Sequence, residues 1–407
     1  MSEPVKIQPD LDFIKELQEV GGDTLKKCYQ CATCSVVCPL SPIDKPYPRK
    51  EMVWAQWGLR DKLLNDIDIW LCHNCGQCSD LCPRGAKPGD LLAGLRNMAY
   101  RKLVEPTILG KWMSSAKYLP QLIGIPAIIY LIIWIIRAGM LGTAFPLNEQ
   151  GNVEYGVLFP GDYTIDTVFG LVALFVIYTF YKGIRKLIAS FQDQPKTFVI
   201  GYEPKGIWAS LWDTVKDEIV THRKWKDCGE DSEADEQKFK GHLLTFYAFV
   251  ALFIVTSVVA VTHWGGKIIP FLAPIGHTPM PLWHPVKILA NVGAIALLVG
   301  LTYLTKRRLN QDPNKHASTF YDWYLLGVIW AVAVTGVLCE LLRLAGVAGL
   351  AYPMYYLHLI SVFMLIAYLP WSKLGHMVYR TAALAYARHI GRLPMASESQ
   401  KKKIFVI

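Results

Sequence analysis

CYQCATCSVVCP at residues 28–39 and CHNCGQCSDLCP at residues 72–83 are the stretches that decide the fold of this 407-residue chain. Each has three cysteines at intervals of three residues, then a fourth cysteine followed by proline. In two-cluster ferredoxins with this pattern, three thiolates hold one [4Fe–4S] cube and the fourth ligates the other cube. Disulfides or zinc are the alternatives, but four thiols per run with Cys-Pro endings favour iron–sulfur clusters. The predicted ligand sets are Cys28, Cys31, Cys34 with Cys82, and Cys72, Cys75, Cys78 with Cys38.

Long apolar runs follow the cysteine-rich region. Hydrophobic residues make up 52% of the chain and charged residues only 18%, a low charged share for a soluble protein. After residue 118 the apolar residues gather in runs of about 20, which is long enough to cross a hydrocarbon core of about 30 Å. Six such runs are too many to bury inside a soluble protein of this size. The predicted membrane segments are Leu119–Met140, Ile165–Ile188, His242–Trp264, Pro285–Leu304, Tyr321–Leu344 and Tyr352–Met377.

The distribution of lysine and arginine predicts the orientation of these segments. Loops 141–164 and 345–351 contain neither residue and loop 265–284 contains only Lys267, whereas the alternate loops are strongly basic. Because basic loops remain in the cytoplasm, we expect a multi-pass protein of the cytoplasmic (inner) membrane. Both termini and the iron–sulfur region are expected on the cytoplasmic side, where reducing conditions suit thiolate-bound clusters. The net charge of +9 is explained by these loops rather than by nucleic-acid binding.

Histidines inside the membrane segments predict haem. His358 and His376 stand at opposite ends of the sixth predicted segment, 18 residues apart. Five whole helical turns would place both rings on one face, about 27 Å apart, as two stacked b haems with axial imidazoles require. His242 is level with His376 on the cytoplasmic side, and His263 is level with His358 on the outer side. These pairs are the predicted ligands of an inner and an outer haem.

Alternatives to this haem assignment are also open. His277 and His284, near the outer start of the fourth segment, compete with His263 as the second outer ligand. Any of these histidines is otherwise an interfacial side chain that only forms hydrogen bonds.

Charged residues in the outer half of the membrane region point to a quinone. Lys287 lies one turn inside the fourth segment, where it either extends to the membrane interface or donates a hydrogen bond to a quinone. Glu340 and Arg343 are three residues apart on one helix face, which predicts an intrahelical ion pair. The alternative is a role in proton movement near the same surface.

These observations predict an all-α protein. An α-helical two-cluster ferredoxin domain (residues 1–105) precedes a six-helix transmembrane dihaem cytochrome b bundle (106–380) and a basic cytoplasmic tail (381–407). The cytoplasmic loop 191–241 is either a solvated loop with a surface helix or a docking surface for soluble partners.

Parts of the chain resemble known families. The N-terminal hundred residues resemble the small iron–sulfur subunit of heterodisulfide reductases. Residues 165–380 resemble the cytochrome b gamma subunit of respiratory nitrate reductase. The strongest matches are Tyr356-Leu-His358-Leu, Leu374-Gly-His376, Pro285-Val-Lys287 and Lys306-Arg307-Arg308-Leu309. The fusion of the two parts resembles the QmoC-type membrane subunit of the quinone-interacting membrane-bound oxidoreductase complex of sulfate reducers.

The resemblance implies haem ligation by His242, His358 and His376 and a quinol-binding role for Lys287. It also implies electron transfer from menaquinol to flavin and iron–sulfur partner subunits, and through them to adenylylsulfate reductase. Leu252 stands where the nitrate reductase pattern has a second histidine on this helix, and His263 is therefore inferred as the substitute. The chain lacks the Cys-Cys-Gly motif of disulfide-reducing subunits, so we expect it to relay electrons without reducing a disulfide itself.

The expected function is that of a membrane electron-transfer subunit. Quinol would be oxidised near the outer haem, and electrons would pass through both haems and both clusters to a soluble partner. The alternatives are the electron relay of a membrane heterodisulfide- or sulfite-reduction complex, and a membrane anchor or redox sensor without turnover.

Overall fold

The computed structural model describes residues 8–38, 40–41, 45–192, 205–220, 233–310, 312 and 318–392. Within these ranges every regular element is helical and no strand occurs, which confirms the all-α prediction. Residues 193–204 and 221–232 of the loop 191–241 lie outside the described residues, and so do part of the predicted docking surface and the tail after residue 392.

The N-terminal domain consists of short helices around a compact core. The carboxylate of Asp10 accepts a hydrogen bond from the N–H of Phe13 (2.8 Å) and caps the first helix, a residue type strongly preferred at this position. Proline begins the longest helix, where its missing N–H costs nothing. The helices are α1 Leu11–Leu17, α2 Thr33–Val36, α3 Arg49–Gln56, α4 Arg60–Leu64, α5 Asp68–Leu71, α6 Gln77–Asp80 and α7 Pro88–Leu103.

The rest of the chain forms long apolar helices, six of which have the length and composition to cross a membrane. This number agrees with the prediction and indicates a multi-pass membrane protein. The long helices are α9 Leu119–Leu141, α11 Asp166–Gln192, α13 Glu233–Gly266, α14 Pro285–Leu309, α15 Phe320–Leu344 and α16 Ala348–Ala367. Shorter helices accompany them: α8 Thr107–Trp112, α10 Tyr155–Leu158, α12 Ile207–Thr214 and α17 His376–His389.

The sixth predicted segment is shorter than expected. Helix α16 ends at Ala367, two short 3₁₀ turns follow, and α17 begins at His376. Pro370 explains the break, because it has no N–H and its ring clashes with the carbonyl group four residues earlier. His358 and His376 therefore lie on different helices, and the prediction that five turns of one helix align their rings is wrong.

Helix α17 is the surface on which the iron–sulfur domain sits. The ring of Tyr379 lies 6.0 Å from that of Trp70 and 5.7 Å from that of Tyr100. Nε of Arg380 donates a hydrogen bond to the carbonyl oxygen of Trp70 (3.1 Å). Because α17 runs across the predicted boundary at residue 381, the start of the basic tail belongs to the folded body of the protein.

A buried charge cluster joins the end of the described chain to the iron–sulfur domain. Nε of Arg392 donates to Oδ1 of Asp68 (2.8 Å), and Nζ of Lys50 lies 2.6 Å from both Asp68 and Asp66 and 3.2 Å from Glu51. Burial raises the pKa of Asp68, but the charges of Lys50 and Arg392 outweigh it and leave the pKa below its usual range. The ionised carboxylate thus holds the C-terminal segment in place. We call Lys50, Glu51, Asp66, Asp68 and Arg392 the clamp cluster.

Candidate iron–sulfur and haem sites

The two cysteine loops have the same backbone design. In each, the second residue after the first cysteine has a positive φ, which is 61° at Gln30 and 56° at Asn74. A second left-handed residue, Ala32 or Gly76, comes just before the short helix that carries the third cysteine. Two left-handed residues curl each loop so that its thiols point to a common centre. Equivalent positions of the two loops are 44 residues apart throughout. The residues between the cysteines differ, so the cysteine spacing alone reveals this repeat.

Backbone N–H groups point at the thiols. The N–H of Gln30 donates to Sγ of Cys28 (3.4 Å), and that of Asn74 donates to Sγ of Cys72 (3.3 Å). The same interaction joins the N–H of Ala86 to Sγ of Cys82 (3.3 Å). Such hydrogen bonds stabilise thiolate charge and tune the potential of a cluster.

The structure brings together the first predicted ligand set. Burial raises the pKa of Cys34, and the nearby thiols of Cys28, Cys82 and Cys31 raise it further. The thiol of Cys82 therefore lies near the three cysteines of the other loop. Cys31 is exposed, so this set lies close to the protein surface.

The second set converges in the same way. Burial raises the pKa of Cys38, with further contributions from the thiols of Cys72 and Cys75. Cys78 is buried and lies near the thiols of Cys72, Cys75 and Cys38. Cys34 of the other set is also near Cys78, so the division of the thiols between two clusters stays a prediction.

A cavity of about 270 Å³ separates the second set from the membrane helices. Cys72 and Cys75 line one side, and His242 and His376 line the other. The membrane helices contribute the apolar residues Leu301, Leu304, Leu325, Leu326 and Ile329 to the wall, together with the ion pair of Arg308 and Asp322. Its basic lining residues are Arg96, Arg307, Arg308, Lys373 and Arg380. An apolar wall with a basic rim suits a flat macrocycle that carries carboxylate groups.

His376 is prepared for metal ligation. Its Nδ1 lies 2.5 Å from the carbonyl oxygen of Lys373, and a carbonyl group only accepts, so Nδ1 carries the proton. Burial lowers the pKa of His376 to about 4, which keeps the ring neutral at pH 7. The remaining nitrogen, Nε2, therefore has a free lone pair, as an axial haem ligand requires.

His358 has an equivalent arrangement inside the membrane region. The hydroxyl group of Thr335 donates to the carbonyl oxygen of Ala331 (2.5 Å) and lies 2.9 Å from Nδ1 of His358. Since that hydroxyl proton is used, Nδ1 of His358 is the donor and Nε2 is left for a ligand. Gly336 makes room for the ring, because a Cβ there would lie 3.1 Å from Cε1 of His358.

The predicted partner of His358 has other contacts. His263 is hydrogen-bonded through Nε2 to Asp162, and its ring packs against Trp264. In the described part of the chain, no hydrogen bond or ring contact joins His263 to His358. Of the two competing residues, His277 is exposed, whereas His284 is partly buried and precedes α14. The second outer ligand stays a prediction.

Lys287 belongs to a polar group between two membrane helices. Its Nζ lies 2.9 Å from Oε2 of Glu340, and Nδ2 of Asn291 donates to Oε1 of the same carboxylate (3.2 Å). The predicted ion pair between Glu340 and Arg343 is therefore wrong, because the carboxylate faces α14. The sequence analysis did not single out Asn291, although a residue four positions after Lys287 lies on the same helix face.

Comparison with known proteins divides the chain in two. Residues 24–86 match the family described as a 4Fe-4S dicluster domain. Residues 177–396, more than half of the chain, match the family described as citrate utilization protein B. The chain belongs to the citrate utilization protein B family. No solved structure matches the chain.

Known relatives resemble this chain mainly in its iron–sulfur domain. A subunit of the H2:CoB–CoM heterodisulfide, ferredoxin reductase of Methanothermobacter marburgensis is 36% identical over 91 residues, which is 22% of this chain and 49% of the relative. An iron–sulfur subunit of the CoB–CoM heterodisulfide reductase of Methanopyrus kandleri is 33% identical over 99 residues, 22% of this chain and 52% of the relative. A subunit of the dihydromethanophenazine:CoB–CoM heterodisulfide reductase of Methanosarcina thermophila is 30% identical over 153 residues, 35% of this chain and 56% of the relative.

The chain spans about half the length of the curated relatives it matches. The shared region shows that the N-terminal domain is an iron–sulfur domain of the heterodisulfide reductase type. The resemblance of the membrane region to nitrate reductase gamma subunits stays a prediction.

Proposed function

We propose that this protein is a membrane electron-transfer subunit that oxidises menaquinol and passes the electrons through haem and two [4Fe–4S] clusters to a cytoplasmic partner. The observation that carries the proposal is the cavity that His242 and His376 share with Cys72 and Cys75. It lies between the membrane helices and the second cysteine set, where an electron leaving the membrane must cross.

The residues around this cavity fit a haem b. His242 and His376 would hold the haem iron, which would carry one electron at a time. The arginines of the wall would neutralise its carboxylates. Arg96 and Arg380 also donate to the carbonyl oxygens of Ile69 (2.7 Å) and Trp70 (3.1 Å), just before Cys72. They thus connect the cavity wall to the cluster loop.

The outer part of the proposed path starts at the polar group of α14 and α15. Ionised side chains in membrane segments are costly and mark functional sites. Lys287 would donate a hydrogen bond to quinol, and Glu340, held by Asn291, would accept a proton from it. His358 lies against Gly336, one helical turn from Glu340 on the same face of α15. It would ligate an outer haem there, and the second ligand would be one of the three predicted candidates, His263, His284 or His277.

The basic loops place the cluster domain in the cytoplasm in this proposal. The partners would be flavin and iron–sulfur subunits of the same complex, and the resemblance to the subunits of sulfate reducers extends the path to adenylylsulfate reductase in sulfate respiration. The exposed Cys31 set is the natural exit, because the Cys38 set lies on the cavity side.

Haem and iron analysis of histidine variants tests this proposal. We expect His376→Ala and His242→Ala each to lose one haem per chain while keeping both clusters, since no cysteine is changed. In both variants a menaquinol analogue should fail to reduce the clusters, as followed by EPR, whereas dithionite should still reduce them. His389→Ala, which removes an exposed histidine of α17 that has no predicted haem role, is the matched control. Unchanged haem content in both cavity variants, or cluster reduction at the wild-type rate, would refute the proposal.

A second candidate follows from the names of the relatives. An electron relay within a heterodisulfide-reducing complex would use the same clusters and cavity but a different terminal partner. Purification of the intact complex decides between the two: a partner chain with Cys-Cys-Gly motifs favours this candidate, and flavoprotein partners favour the first.

A further inference from the structure

A group of metal-ligating side chains joins the ends of two membrane helices on the side opposite the clusters. It contains Asp162 from the helical turn just before α11, Asp166 at the start of α11 and His263 near the end of α13. One ligand atom from each residue lies within 4.8 Å of the other two. The three side chains converge from two helices far apart in the sequence, so their proximity is a property of the tertiary fold.

From this geometry we propose that Asp162, Asp166 and His263 form a binding site for a divalent cation of the zinc class. Two carboxylate oxygens and one imidazole nitrogen form a three-ligand set that leaves a position for water. Without a metal, Nε2 of His263 is hydrogen-bonded to Oδ1 of Asp162, so a bound ion would replace the shared proton and release it to solvent. Imidazole selects zinc and its neighbours in the transition series over magnesium and calcium, which prefer oxygen ligands. The side chains of Asp162 and His263 are 27% and 44% exposed, so an ion reaches them from solution.

Surrounding contacts hold the ligands in place. Nε1 of Trp264 donates to Oδ2 of Asp166 (3.1 Å), which leaves Oδ1 for a metal. Hydrogen bonds of this kind orient metal ligands and increase their affinity.

Lys267 competes with a metal for the same carboxylate. Its Nζ lies 2.6 Å from Oδ2 of Asp162. The same ammonium group lies 3.9 Å from the ring centre of Trp264, and its side chain is 44% exposed. It therefore keeps a favourable cation–π position when a metal takes Asp162. A bound ion would therefore displace Lys267 from Asp162.

Metal at this position would cross-link α11 and α13. Helix α13 packs mainly on α14 in one apolar core, whereas α11 belongs to the larger core with α9, α16 and the cluster domain. A bound ion would therefore strengthen the junction between two packing units. With His263 bound to the metal, the second ligand of an outer haem would be His284 or His277, and the His263→Ala variant separates the two roles of His263.

Zinc titration of the detergent-purified, cluster-loaded protein tests the proposal. We expect one zinc per chain that binds the wild type and raises its thermal midpoint, with magnesium unable to displace it. Asp162→Asn and His263→Ala should each abolish this site. Lys267→Met should bind zinc about two- to fivefold more tightly, which is the range that loss of one exposed ion pair gives.

The control is His277→Ala, which removes an exposed histidine of the neighbouring loop and should leave the titration unchanged. Zinc binding that persists unchanged in Asp162→Asn would overturn the proposal, as would weaker binding in Lys267→Met. Lys267→Met is expected to bind zinc more tightly than the wild type. This variant can therefore refute the proposal even if Asp162→Asn or His263→Ala does not fold. Loss of haem from His263→Ala with no change in zinc binding would assign His263 to the outer haem instead.

Discussion

Replacing Gly300 by alanine tests how closely α13 and α14 must pack to position His242. A Cβ at residue 300 would lie 2.6 Å from Oγ1 and 2.9 Å from N of Thr245, and 3.0 Å from the carbonyl oxygen of Gly241. Gly241 directly precedes His242, so this contact sets the position of a cavity histidine.

The size of the effect follows from these distances. An ordinary contact begins at 3.4 Å, so the methyl group is about 0.8 Å too close to the hydroxyl group. That group cannot turn away freely, because it donates to the carbonyl oxygen of Gly241 (2.8 Å), and the other two atoms are backbone. The helices must separate, and overpacking of this kind costs about 1–3 kcal/mol. Small residues are used at membrane helix contacts for this reason.

Thermal unfolding in detergent, followed by circular dichroism, measures the loss of stability, and visible absorbance of the same samples measures retained haem. We expect Gly300→Ala to lower both. Gly327→Ala is the matched control, because no atom lies within 4 Å of its added Cβ. If the two variants behave alike, close packing at Gly300 does not position His242.

Three further predictions concern charged residues. Arg392→Met should lower the stability of the iron–sulfur domain by about 3–5 kcal/mol, because it leaves the buried Asp68 with one cation fewer; unfolding followed at the cluster absorbance measures this, and an unchanged midpoint would contradict it. Burial raises the pKa of Glu51 to about 8, so its folded form keeps a proton that the unfolded form releases near pH 4.5. Its stabilising contribution is complete below that pH and is lost as the pH rises toward 8. Glu51→Gln should therefore gain stability relative to wild type between pH 6 and pH 8 in denaturant titrations, and a constant difference would refute this. Lys287→Met should cost about 3–5 kcal/mol by leaving Glu340 without its partner, and adding Glu340→Gln should recover most of it; a double variant less stable than the single one would contradict the pairing.

Local sequence signals predicted much of the fold. The cysteine spacing acts over a few residues, because each loop must bend its own thiols toward one centre. The membrane helices follow from hydropathy, which depends on composition rather than on the partner of each side chain. For that reason the number of spans agrees with the structure, and the cysteines of the two runs lie close together in it.

Other features depend on contacts between distant residues. The rotation of α15 decides whether Glu340 meets Arg343 on its own helix or Lys287 on the next one, and hydropathy does not encode that rotation. The same holds for Asp162, which lies about a hundred positions from His263 in the chain. The break before His376 was accessible from the sequence, because Pro370 stands in the predicted segment and proline ends helices.

The clamp cluster has a consequence for biogenesis. The cysteine loops leave the ribosome early, whereas α17 and Arg392, on which the domain rests, are synthesised only after every membrane-crossing helix. During that interval the domain has no platform, and the face that later closes against α17 is open to maturation factors. The face of the domain that packs on α17 is therefore covered only once the chain is complete, whereas the exposed Cys31 set stays accessible throughout.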